Sequence, residues 1–193
     1  AIIANAGSGL KTVADLKGKK VGFGKGTSSN NLVVAALEKN GLAFTDITPV
    51  YLSPADAAAA FASDKIDAWA IWDPFLAIAE TRHKPVTLAR TSDVLDSQTF
   101  IVANSAFAKT EPETLQLALG ALGQAADWAA AHKDEVAQAL HEVTGVPLEA
   151  QTLAAQRSEF KIVPIDEKII ETQQKTADRF LRIGLIPKQI NVR

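Results

Sequence analysis

At 193 residues the chain can bury a real core, as one domain or as two small lobes. Its 20 Lys and Arg against 22 Asp and Glu leave a formal net charge of −2, which argues against a nucleic-acid partner and against a basic membrane-binding patch. No cysteine is present, so disulfides, thiol catalysis and the sulfur ligands of a usual zinc site are excluded, and the longest apolar runs are too short to span a bilayer.

The chain opens on the apolar run Ala1-Ile2-Ile3-Ala4, with no methionine and no signal peptide, as expected of a processed protein or a piece of a longer one. Residues 19–23 (KKVGF) read as a short buried strand ending in glycines. Residues 28–40 then place Leu32, Val33, Ala36 and Leu37 at helical spacing before Gly41. A second strand is expected over 47–52 (ITPVYL), with Pro49 marking an edge. Ser53 and Pro54 give a cap followed by a first-turn proline, and ADAAAAFA continues the helix. Residues 67–72 (DAWAIW) form a third strand, and Asp73-Pro74 repeats the cap-and-proline pattern before FLAIAE. PVTLA (85–89) and TFIVA (99–103) are two further expected strands. Strands alternating with helices predict an α/β fold with largely parallel pairing.

Beyond residue 104 the pattern turns helical. Thr110 and Glu113 are spaced as a capping box with Pro112 in the first turn, and a long helix runs on through Trp128. DEVAQALHEVTG and LEAQTLAAQR read as two more helices, separated by Gly145-Val146-Pro147. Asp166 caps a last helix that Gly184 ends. This tail has no sheet of its own, and its apolar faces call for a partner.

Two stretches carry candidate chemistry. In GFGKGTSSNN (22–31) glycines precede a helix start, where backbone N–H groups lack internal partners and the helix dipole is positive. Gly26 lets an anion approach; Thr27, Ser28 and Ser29 offer hydroxyls and Asn30 an amide. The same residues also suit a plain strand-to-helix turn with a serine cap. The spacing fits neither G-x-G-x-x-G nor a P-loop. In AIWDPF (70–75), Trp72 lies at the carboxyl end of a strand, where open α/β sheets bind ligands, whereas Trp69 reads as core. Asp73 reads as a helix cap rather than a catalytic carboxylate. His83, His132 and His141 are scattered, with no serine nucleophile elbow near them, so neither metal, cofactor nor catalysis is indicated. Arg157 reads either as an anion partner or as a surface cation.

Three runs, GLKTVADLKGKKVGFGKGTSSNNLVVAALEKNGL, PVYLSPADAAAAFASDKIDAWAIWDPFLAIAE and QQKTADRFLRIGLIPKQINV, resemble the aliphatic sulfonate-binding proteins of bacterial ABC importers over essentially the whole chain. The resemblance implies a type 2 periplasmic binding fold. Residues 4–105 are then the second α/β lobe, and 106–193 the carboxyl-terminal helices packing on a first lobe whose sheet is mostly absent. It implies a small anionic ligand such as an alkanesulfonate, an ABC permease of the inner membrane as partner, and a periplasmic or lipid-anchored location. Carried over by motif, the ligand-facing set is Gly26, Thr27, Ser28, Ser29, Asn30, Trp72, Asp73, Gln98 and Arg157. Gln98 stands where relatives often carry histidine, and Arg157 is all that remains of a basic cluster. Taurine, nitrate or another small anion would suit the same donors. A thiamine-pyrimidine precursor enzyme and a regulatory effector domain use the same fold, but the first depends on cysteine and the second on a helix-turn-helix segment.

Overall fold

A computed structural model describes residues 1–193. Its elements in chain order are β1 (Ile2–Ala4), β2 (Lys20–Phe23), α1 (Ser28–Lys39), β3 (Thr48–Tyr51), α2 (Pro54–Ala62), β4 (Ala68–Ala70), α3 (Phe75–His83), β5 (Val86–Ala89), α4 (Thr91–Val94), α5 (Ser105–Thr110), α6 (Pro112–Ala131), α7 (Lys133–Thr144), α8 (Leu148–Arg157) and α9 (Glu167–Arg182). The chain divides into two compact units, one of residues 1–97 with 166–193, the other of residues 98–165.

The first unit is an α/β/α sandwich. Its five strands run in the order β3-β2-β4-β1-β5. Strand alternation sends Ile2, Ala4, Val21, Phe23, Ala68 and Ala70 to one face, where they meet Leu32, Val33, Ala36 and Leu37 of α1. Ile3, Trp69 and Ile71 point to the other face and meet Ala57 and Phe61 of α2 and Leu76 and Ala79 of α3. Trp69 is core, tilted against Phe61 at 5.7 Å between ring centroids. β3 carries Pro49 and lies at the sheet edge.

The sheet is mixed rather than largely parallel. β2 pairs parallel with β3 and β4, while β1 pairs antiparallel with both β4 and β5. The opening run Ile2–Ala4 is therefore a central strand, fully buried on both faces. Helix starts follow local chemistry: Ser53 caps α2, its hydroxyl accepting from the Asp56 N–H, and Asp166 caps α9 by accepting from the Ile169 N–H at 2.8 Å. α9 lies against α1 within this unit. Arg179 donates to Glu38 at 3.1 Å, Arg182 pairs with the same carboxylate, and the Asn31 amide donates to Thr176 at 3.2 Å.

The second unit is helical, built from α5 to α8 and their connections. Lys133 Nζ donates to the Gln156 and Ser158 carbonyls, tying the start of α7 to the end of α8. His132 stacks on Trp128 at 4.7 Å between centroids and 8° between planes. Two expectations change here. Residues 99–103 form no strand, because they pair with no neighbour. Thr110 ends α5 instead of capping α6: its hydroxyl donates back to the Ala106 carbonyl, and Glu111 takes the cap position before Pro112. The contacts group residues 166–193 with the α/β unit, whereas the expected boundary at 105/106 assigned them to another lobe.

Candidate functional site

The loops after β2, β3 and β4 leave the same sheet edge, since these three strands run parallel. That edge brings together the turn from Gly24 to Asn30, Trp72 with Asp73, and Tyr51. It is the carboxyl end of the parallel strands, where α/β sheets accept ligands.

The turn into α1 is held by its own polar groups. Gly26 has φ of +71°, a left-handed conformation that glycine adopts without strain. Thr27 is the helix cap. Its hydroxyl donates to the Gly24 carbonyl at 2.7 Å and accepts from the Asn30 N–H at 3.4 Å. With the Thr27 proton on Gly24, the 2.8 Å contact between Thr27 and Ser29 has Ser29 as its donor. The hydroxyls of Thr27 and Ser29, expected as donors to an anion, thus serve the loop itself. Ser28 is exposed, and its hydroxyl stays outside this network.

Asn30 is 0% exposed. Its Oδ1 accepts from the Gly26 N–H at 3.1 Å, and its Nδ2 is buried with no partner. A buried donor without an acceptor costs free energy unless a guest supplies one. The backbone N–H groups of Ser28 and Ser29, in the first helical turn, have no carbonyl four residues earlier within the helix. The site therefore offers neutral donors at the positive end of a helix dipole, which suits an anion that only accepts hydrogen bonds.

Trp72, 36% exposed, follows β4 and turns from the core that holds Trp69. Asp73 Oδ1 accepts from the Ala77 N–H at 3.1 Å, so the carboxylate serves the start of α3. It does so from one position before the helix cap, which is Pro74. Gln98 and Arg157 lie in the second unit, both exposed, Gln98 in a coil and Arg157 as the last residue of α8. Sequence reading passed over Lys25 and Tyr51. Tyr51 closes β3 as Trp72 follows β4, and that shared position was the available signal. No group of three or more His, Asp or Glu side chains is placed to hold a metal ion.

Solved structures define the class. The chain matches the crystal structure of the periplasmic aliphatic sulphonate binding protein from Escherichia coli with a TM-score of 0.89 and 36% identity, covering 100% of this chain and 63% of that one. It matches the alkanesulfonate-binding protein from Xanthomonas axonopodis pv. citri, bound to MOPS, with a TM-score of 0.88 and 36% identity over 99% of this chain and 66% of that one. The fold is the α/β fold of type 2 periplasmic binding proteins. Residues 1–136 match the family described as NMT1/THI5 like, and the chain belongs to that family. A relative from Escherichia coli (strain K12), named as a candidate aliphatic sulfonates-binding protein, is 37% identical over 195 residues. The alignment takes in 100% of this chain and 60% of the relative's length.

Proposed function

We propose that the chain is the substrate-capturing part of an ABC importer that binds an aliphatic sulfonate outside the inner membrane and delivers it to a permease. The observation that carries this is the unpartnered Asn30 amide beside the first N–H groups of α1. A sulfonate stays ionised at biological pH and has three acceptor oxygens, so it satisfies such donors without trading protons. Trp72 supplies an apolar surface for the alkyl tail. The names of the relatives support sulfonate as the anion, and no helix here is long and apolar enough to cross a membrane. The reading calls for capture without chemistry. Gln98 and Arg157 are not used in it.

The test is titration calorimetry with ethane-, butane- and octanesulfonate, taurine, nitrate and sulfate. Alkanesulfonates should bind most tightly. Asn30→Asp keeps the acceptor for Gly26 but replaces the donor with a negative charge, and should weaken butanesulfonate by at least about tenfold. Nitrate or sulfate binding above every sulfonate would replace the ligand class, and an unaffected Asn30→Asp would move the site elsewhere.

A further inference from the structure

The donors at the α1 start are all neutral, which raises the question of what brings an anion to them. Helix-end partial charges act within the first turn and are readily screened. The molecule as a whole carries a net charge of −2, which does not attract anions. Across residues 22–31, Lys25 is the one charged side chain.

Lys25 is placed in an unusual way. Its ammonium lies over the face of Tyr51, 5.5 Å from the ring centroid, and no carboxylate pairs with it. Tyr51 is 43% exposed at the rim, and its ring is fixed edge-on to Phe23 at 5.5 Å and 87°. Phe23 is fully buried, so the perch is anchored in the core. The unneutralised charge is thereby kept beside the loop rather than spread through solvent.

We propose that Lys25, perched on Tyr51, is the steering cation of the anion site, setting how fast a sulfonate arrives rather than how fast the seated ligand leaves. This rests on the sulfonate-binding reading above. Lys25 and Thr27 are two positions apart, with Gly26 between them, so their Cα atoms are at most about 7 Å apart. At a charge separation of about 7 Å, one charge in water attracts a monoanion by about RT, which raises its local concentration about threefold. A charge separation of that order is inside the Debye length of about 10 Å at 0.1 M salt and outside the 3 Å reached at 1 M. The effect is therefore present at low salt and absent at high salt.

The experiment is stopped-flow tryptophan fluorescence with butanesulfonate at low salt and near 1 M NaCl, alongside calorimetry, on the 193-residue chain and four variants. Lys25→Gln should slow association about threefold at low salt, match the parent at high salt, and leave the dissociation rate unchanged. Lys25→Arg and Tyr51→Phe, which keep the charge and the ring, should associate like the parent. Tyr51→Leu should fall between the parent and Lys25→Gln. Equal low-salt rates for the parent and Lys25→Gln would overturn the inference. So would a loss that persists at high salt or lies in dissociation, since Lys25 would then be a direct contact. A parent that binds no sulfonate calorimetrically would sink the proposed function itself, and this inference with it.

Discussion

At the scale of single residues, the loop before α1 depends on how closely the Thr27 side chain approaches its backbone. A Cβ built on Gly24 would come within 2.8 Å of Thr27 Cγ2 and 3.2 Å of its hydroxyl. Gly24→Ala should therefore push Thr27 off the Gly24 carbonyl and unsettle the donors that follow. We expect butanesulfonate affinity to fall by about 1–3 kcal/mol in calorimetry, with the far-ultraviolet circular dichroism unchanged. Trp72→Ala tests the apolar wall. In the parent, each methylene added to the ligand should gain up to about 0.8 kcal/mol, and the variant should flatten that series. A parallel series would remove Trp72 from the pocket. Much of this site was legible in the residues, because a glycine turn, a polar cap and a tryptophan at a strand end have local causes. The assignment of individual protons was not legible. Whether the Thr27 hydroxyl faces a ligand or the Gly24 carbonyl depends on a backbone atom three residues away, and sequence spacing does not specify it.

At the scale of elements, the joint between α1 and α9 is polar and asymmetric. Arg179, mostly covered, reaches both Glu38 and Asn31, whereas Arg182 is more exposed. Arg179→Ala should lower stability by about 1 kcal/mol in urea unfolding, more than Arg182→Ala, because the exposed pair is better screened. The turn before β2 offers a pH probe. Asp15 accepts from the backbone N–H groups of Lys11 and Thr12 and from the Thr12 hydroxyl, which together hold its carboxyl below the ordinary 3.8. A lowered folded value means that the stabilisation is in place above 3.8 and is lost as pH falls below it. Urea midpoints measured from about pH 5 to pH 2 should drop less steeply for Asp15→Asn than for the parent. Elements with local signals, such as Ser53-Pro54 and Asp166, were readable. TFIVA looked like a strand by composition, but a strand exists only where a partner edge accepts it, and residues 99–103 have none. Thr110 fitted a capping box, yet it was already the end of α5.

At the scale of the whole molecule, the two units differ in how far they bury their apolar side chains. In the first, β1, β2 and β4 are closed over on both sides. In the second, Leu117 is 75% and Val143 85% exposed, and Trp128 also reaches solvent. Exposed apolar side chains of this kind offer surface to hydrophobic dyes and to self-association. We expect the 193-residue chain to enhance the fluorescence of such a dye, and Leu117→Lys with Val143→Lys to reduce the signal without changing the helix content. No enhancement by the parent would mean that these side chains are covered in solution.

The antiparallel β1 governs the order in which the first unit can assemble. Ile2 pairs with Ala70 on one side and with Ala89 on the other, so β1, which precedes the other four strands of its sheet in the chain, is among the last of them to find its place. Until residues 86–89 are available, β1 has one neighbour at most, and the sheet ends at β1 with an unpaired, wholly apolar edge. Such long-range pairing makes for slow folding and leaves an adhesive intermediate. Chains halted during synthesis between residues 70 and 89 should therefore be the ones most readily captured by chaperones that bind exposed strands.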